Sequence, residues 1–227
     1  MYEDNRPANL MLGALSVRAY QNLLPKLERV ELHAGERLYD MGDDFTHVHF
    51  VESGIIAMLV VTDKDSAQQC CMVGYEGMIG MPVFLGIKTS GNRAVVQASG
   101  TALRLRVDDF REECSIKPKL YEVMQLFTYA TITQIARGSA CNRFHSNETR
   151  LARWMLMAHD RLKSNSFRIT QEFMSYMLGV RREAVSKIAT SFQNQKLIKY
   201  SRGDFSILNR KGLEAISCNC YQVIAAN

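Results

Sequence analysis

Between Thr170 and Leu197 the chain reads TQEFMSYMLGVRREAVSKIATSFQNQKL, and the one glycine inside this otherwise periodic run limits what the stretch can become. Phe173, Met174, Met177 and Leu178 form an inward apolar stripe. Thr170 is placed to accept from the free N–H groups of a first turn, and Glu172 sits where a negative charge suits the helix dipole. Gly179 ends that helix, because only glycine enters the left-handed region without a Cβ penalty. A second helix is predicted from Arg181 and Arg182. Val185, Ile188, Ala189 and Phe192 recur at i, i+3, i+4 and i+7 on its inward face, which leaves Glu183, Lys187, Thr190 and Asn194 on the opposite pole and Arg182 and Ser186 on its shoulder. Small Ser175 and Gly179 with apolar Val185 let the two helices cross closely, as a helix-turn-helix requires. Ile198 and Tyr200, then Phe205 and Ile207, alternate as two short strands around Ser201-Arg202-Gly203-Asp204, a hairpin that carries Lys199 and Arg202 outward.

Charge points to the same end of the chain. The net charge of the 227 residues is +5, and residues 164–227 hold nine Lys/Arg against four Asp/Glu, which is the whole excess. A polyanion is therefore expected to meet the C-terminal part.

The rest of the chain divides by texture. Residues 8–24 carry apolar positions at helical spacing with Ser16 as an internal cap, and Pro25 closes them. From Val30 to Val107, short β-rich runs alternate with glycines at turn-like intervals, which predicts a barrel or sandwich. Pro118 suits the first turn of a following helix, since its missing N–H would be unpaired there. Val123 to Ala136 contains no charged residue and is apolar all round, so it needs cover on more than one side. It is too short to span a bilayer, and a second copy of the chain is the expected cover, through Leu120, Met124, Phe127 and Thr131. Gly138 is a candidate hinge, and an amphipathic helix resumes over Glu148 to Leu162 through Leu151, Trp154, Met155 and Ala158. Asn209 to Asn227 adds a short helix and tail.

The stretch RITQEFMSYMLGVRREAVSKIATSFQNQKLI resembles the winged helix-turn-helix of the Crp-Fnr family of bacterial transcription regulators. The order of LHAGERLYDMGD and HVHFVESGIIAMLVV is similar to the cyclic-nucleotide-binding β-roll that precedes it in that family. The resemblance implies an α+β chain with an N-terminal roll over residues 1–115, a dimerisation helix and hinge over 116–146, and a winged helix-turn-helix over 147–227. It implies a homodimer on a palindromic operator in double-stranded DNA, with RNA polymerase as a further partner. Arg182, Glu183 and Lys187 take the places of the Arg, Glu and Arg with which a cyclic-AMP-binding member reads bases, and Lys at 187 gives up a planar fork. With Ser186 they form the expected base-reading set, and Thr170, Gln171, Arg181, Lys199 and Arg202 the phosphate-positioning set.

Departures from the family fall in the effector cassette. Arg93 keeps the cation expected for a phosphate, but Met81 stands where a ribose-binding Glu would be and Ala94 where a hydroxyl would be. Ile135 and Ala136 replace two hydroxyl residues that would contact a base. Leaving polar ligand groups unpaired costs roughly 1–3 kcal/mol each, so cyclic AMP is not the expected effector and the effector is unknown.

Other classes have little to stand on. The chain shows no nucleophile elbow, P-loop, dinucleotide fingerprint or HExxH motif, and no enzyme is expected. A ligand-binding or protein-interaction module whose winged helix does not touch DNA is the alternative. The six cysteines form no CxxC pair and no cysteine precedes Cys70, which argues against the N-terminal iron-sulfur cluster of some family members. The CNC at Cys218 to Cys220 is read as incidental, with no metal or cofactor expected. MYEDNRPANL lacks the basic start and apolar run of a secretory signal, so a cytoplasmic protein without membrane contact is expected.

Overall fold

The computed structural model describes residues 6–63, 66–201 and 203–226. Contacts divide the chain into two compact units, the first comprising residues 1–58 and 72–129 and the second residues 59–71 and 130–227.

In the first unit, α1 (Leu10–Gly13) and α2 (Val17–Leu23) precede a 3-10 turn at Leu24–Lys26 that contains Pro25. Asn9 explains why α1 stays on the roll. Its side-chain oxygen accepts from Leu12 N–H at 3.1 Å, capping the helix, while its amide donates to the Val51 and Gly77 carbonyls at 2.8 Å each. Ser16 caps α2 in the same way, accepting from Ala19 N–H. The strands follow: β1 (Glu28–Leu32), β2 (Arg37–Tyr39), β3 (His47–Asp63), β4 (Ser66–Val73), β5 (Met78–Ile79) and β6 (Arg93–Arg106), with the short α3 (Met81–Phe84) between the last two. The sheet runs β1-β6-β3-β4, with β2 on β6 and β5 on β3. β1 and β6 pair antiparallel from Glu28 opposite Arg104 to Leu32 opposite Gly100. At Gly100 a Cβ would lie 2.1 Å from the Ser53 carbonyl oxygen, so the strands can approach this closely only with glycine. Leu12, Leu23, Leu32, Phe50, Ile55, Ile56, Met72, Met78, Ile79 and Phe110 are fully buried.

α4 (Val107–Ile116) leads into α5 (Pro118–Phe144), with Pro118 at its first position as expected. No break in the helix marks the candidate hinge at Gly138. α5 runs unbroken through it to Phe144, since one glycine costs a helix only about 1 kcal/mol and neighbouring turns carry it. One face of α5 holds Leu120, Val123, Met124 and Thr131, all buried, and Phe127, which closes on Gly77. The opposite face leaves Leu126, Tyr129, Ile132 and Ile135 exposed, at 62%, 63%, 58% and 42%.

The second unit continues with α6 (Asn147–Leu162), β7 (Ser166–Arg168), α7 (Gln171–Leu178), α8 (Arg182–Asn194), β8 (Ile198–Ser201), β9 (Asp204–Ile207), α9 (Arg210–Ile216) and α10 (Cys220–Ala225). Ser146 caps α6, accepting from Thr149 N–H. The expected two-stranded wing is a three-stranded sheet, β7-β9-β8. The tail holds two helices where one was expected, both packed on α6. No described helix is long and apolar enough to cross a membrane.

His49, half-buried on β3 opposite Ile79, keeps its Nδ1 out of contact with solvent. Burial lowers its pKa to about 4, and His47 and Arg104 push it the same way. The fold thus favours neutral His49, and stability is complete above the unfolded value near 6.5. It is lost as pH falls from there toward 4, by roughly 3 kcal/mol in total. Urea titrations across this window should show that slope, and His49→Gln should flatten it.

Candidate nucleic-acid interface

The helix-turn-helix is built by local rules legible in its residues. Thr170 Oγ1 accepts from Phe173 N–H at 3.1 Å and starts α7. Gly179, at φ +65°, ends it and donates its N–H to the Ser175 carbonyl at 2.8 Å. Arg181 is the extended residue before α8, which begins at Arg182. Val185, Ile188, Ala189 and Phe192 are all buried, so the helix has one orientation available and its other side faces outward.

On that outward side Arg182, Glu183 and Lys187 are exposed and Ser186 is half-buried, which places all four expected base-reading residues on the first two turns of one helix. Of the expected phosphate set, Thr170, Arg181 and Lys199 are exposed and Gln171 is half-buried, while Arg202 lies outside the described residues. Arg182 Nη2 lies 3.0 Å from Glu172 Oε1, an exposed pair between α7 and α8. Such pairs are worth about 1 kcal/mol or less, so the guanidinium is available to another acceptor.

Three supports beneath this surface escaped the sequence reading. Arg150 on α6 is buried, and its Nη2 donates to the Leu178 carbonyl at 2.5 Å, satisfying an end carbonyl of α7, while Nη1 reaches Asn147 Oδ1 at 3.0 Å. Burial lowers its pKa, yet a guanidinium stays charged. A ladder of rings joins α6 to the wing: Trp154 to Phe167 at 6.2 Å, Phe167 to Phe205 at 4.9 Å and Phe205 to Tyr200 at 6.3 Å. Arg210 on α9 donates to Asp160 Oδ1 at 2.8 Å and to the Tyr221 hydroxyl at 2.6 Å, which itself donates to Asp160 Oδ2 at 2.7 Å. Burial, then Asp160, pushes Tyr221 up to about 12.

The expected effector residues fall in two places. In the first unit Met81 opens α3, half-buried, and Ala94 is buried beside Arg93 on β6. Arg93 Nε is 3.0 Å from both Asp40 carboxylate oxygens and Nη2 is 2.7 Å from Oδ2, and this hydrogen bonding holds Asp40 below the usual carboxylate range. In the second unit Ile135 and Ala136 are exposed on α5.

A roll of antiparallel strands, a long helix and a winged helix-turn-helix follow one another along the chain. The Crp-like helix-turn-helix domain family matches residues 149–216. Over most of its length the chain has the fold of Crp-Fnr transcription regulators. FixK2 of Bradyrhizobium japonicum superposes with a TM-score of 0.73 at 12% identity, covering 85% of this chain and 98% of its own. The c-di-GMP-responsive regulator CLP of Xanthomonas campestris gives 0.70 at 12%, over 85% and 99%. A CRP-family regulator of Thermus thermophilus gives 0.69 at 14%, over 82% and 95%. No curated protein sequence matches the chain.

Replacing Arg150 with Ala should destabilise the second unit by about 1–3 kcal/mol, because a buried helix-end carbonyl loses its donor. Thermal melting monitored through Trp154 fluorescence, with exposed Lys211→Ala as the comparison, would show it.

Proposed function

We propose that this chain is a sequence-specific transcription regulator that reads a palindromic operator as a homodimer. The observation that carries the reading is the division of α8 into a wholly buried apolar face and an outward face bearing Arg182, Glu183 and Lys187. Arg pairs through two parallel bonds with guanine, Glu accepts from cytosine N4 and Lys reads guanine acceptors, while Ser186 bonds to either groove edge. Thr170, Gln171, Arg181 and Lys199, with Arg202 on the wing, hold phosphates on either side and set the register.

The apolar stripe of Leu126, Tyr129, Ile132 and Ile135 supports a two-fold seam along α5, because a helix face of that composition is costly to leave in water. Leu120, Met124, Phe127 and Thr131 would then brace the seam from behind. The same two-fold axis brings two copies of α8 to successive turns of the major groove. Domains bounded at 115/116 and 146/147, a cytoplasmic site and contact with RNA polymerase belong to this reading.

The roll is read as holding an effector other than cyclic AMP, or none. Arg93 is already paired by Asp40, and Met81 and Ala94 offer no polar partner to a ribose or phosphate. A ligand stripped of water there without repayment binds weakly.

Selection of bound sequences from a random DNA pool tests the function directly. A two-fold symmetric consensus with half-sites one helical turn apart is expected, with affinity falling steeply with salt and unchanged by cyclic AMP. No enriched sequence at low salt would overturn the reading. On the selected site Arg182→Ala should cost about 1–3 kcal/mol and relax one base position, whereas Lys199→Ala should weaken all sequences alike. Gel shifts on cognate and scrambled DNA separate the two. Ile132→Glu should convert a dimer at micromolar concentration to monomer by sedimentation, because it sets like charges against each other across the seam.

A further inference from the structure

We propose that Cys141, His145, Cys218 and Cys220 bind one zinc(II) ion in a closed, structural site of the second unit. By ligand count a lone CNC offers too few donors for a metal, and nothing in the sequence joins it to the i, i+4 pair Cys141 and His145. The fold joins the two pairs.

Local structure explains the approach. Cys141 lies on the last turn of α5, and the His145 N–H continues the helical pattern onto the Cys141 carbonyl, so the thiol and the imidazole share one face. Cys218 lies in the linker after α9, and Cys220 opens α10, where Tyr221 N–H bonds back to the Cys218 carbonyl and turns both thiols to one side. All four ligand atoms lie within 4.8 Å of one another. Three of the six edges are 3.6 Å from Cys141 Sγ to Cys218 Sγ, 3.4 Å from His145 Nδ1 to Cys141 Sγ, and 3.9 Å from His145 Nδ1 to Cys220 Sγ.

Those lengths match a tetrahedron. With zinc bonds of about 2.3 Å to sulfur and about 2.0 Å to imidazole nitrogen, the edges come to about 3.8 Å between sulfurs and about 3.5 Å between sulfur and nitrogen. A disulfide would need about 2.05 Å, and all six cysteines are free. An iron-sulfur cluster spreads its thiolates over several irons, wider than this group allows. Ordinary packing accounts for three buried cysteines, since cysteine is among the most often buried residues. It does not account for an imidazole nitrogen turned onto two of those sulfurs with the third inside 4.8 Å. Three thiolates and one imidazole on Zn²⁺ carry a net charge of −1. Burial raises the Cys141 and Cys220 thiols, the Arg153 charge opposes that rise in part, and its buried Nε has no hydrogen-bond partner among the described residues. It supplies the countercharge and outer donor that thiolate sites use. Four protein ligands leave no open position, so the ion holds structure and performs no chemistry. It fastens the α9–α10 linker to the end of α5, and those two helices pack on α6, which carries Arg150.

The full chain, expressed and purified under reducing conditions without chelators, decides the matter by elemental analysis. One zinc per chain is expected, released in full when a mercurial titrates the thiols. After removal of zinc, cobalt(II) should give intense tetrahedral d–d bands with thiolate charge transfer. Cys218→Ser, Cys220→Ser and His145→Ala should each lose the zinc, and Cys114→Ser should keep it. If a variant fails to fold, the stoichiometry and cobalt spectrum of the unaltered protein still stand as the test. Protein that retains no zinc after exposure to it and dialysis, octahedral cobalt, or iron with acid-labile sulfide in anaerobic preparations would each overturn the proposal.

Discussion

The burial of one face of α8 is the constraint on which the rest of the second unit depends. Val185, Ile188, Ala189 and Phe192 leave the helix no freedom to roll, and every polar residue on its other side is positioned by that fact. Burying four such side chains contributes several kcal/mol, far more than any exposed ion pair on the surface. α7 supplies the surface against which this face packs, and α7 in turn needs its ends satisfied. Thr170 does so at the start and Arg150 and Gly179 at the finish. The aromatic ladder from Trp154 and the Arg210–Asp160–Tyr221 bonds then fix α6 to the wing and to the tail. Precision at the outward residues is thus inherited from groups that could never touch a ligand there.

How much of this was legible follows from how far each signal reaches along the chain. Caps at Ser16 and Thr170, the turn at Gly179, the entry at Pro118 and the α8 stripe are fixed by residues three or four positions apart, and each falls where the sequence puts it. β7 was missed because three residues, Ser166 to Arg168, are too few for a period, and it exists only because β9 offers an edge. The unbroken helix through Gly138 shows a propensity overruled by its neighbours. On α5 the composition revealed an unusual helix but not which side the roll would cover, so Leu120 and Met124, named for a seam, lie buried while Leu126 and Tyr129 are left outside. Arg150 and the Cys–His group are contacts of long sequence separation, invisible without the fold.

The pairing of Arg93 with Asp40 has a bearing on what this roll can sense. A cation that waits for a ligand makes the local field depend on whether the ligand is present. Here the opposite charge is covalently part of the same chain, two close-fitting oxygens against one guanidinium. An incoming anion would have to compete with that carboxylate, which Arg37 Nη1 also approaches at 3.4 Å. The guanidinium is thus satisfied from within the chain, and its orientation on β6 is fixed by a residue more than fifty positions earlier.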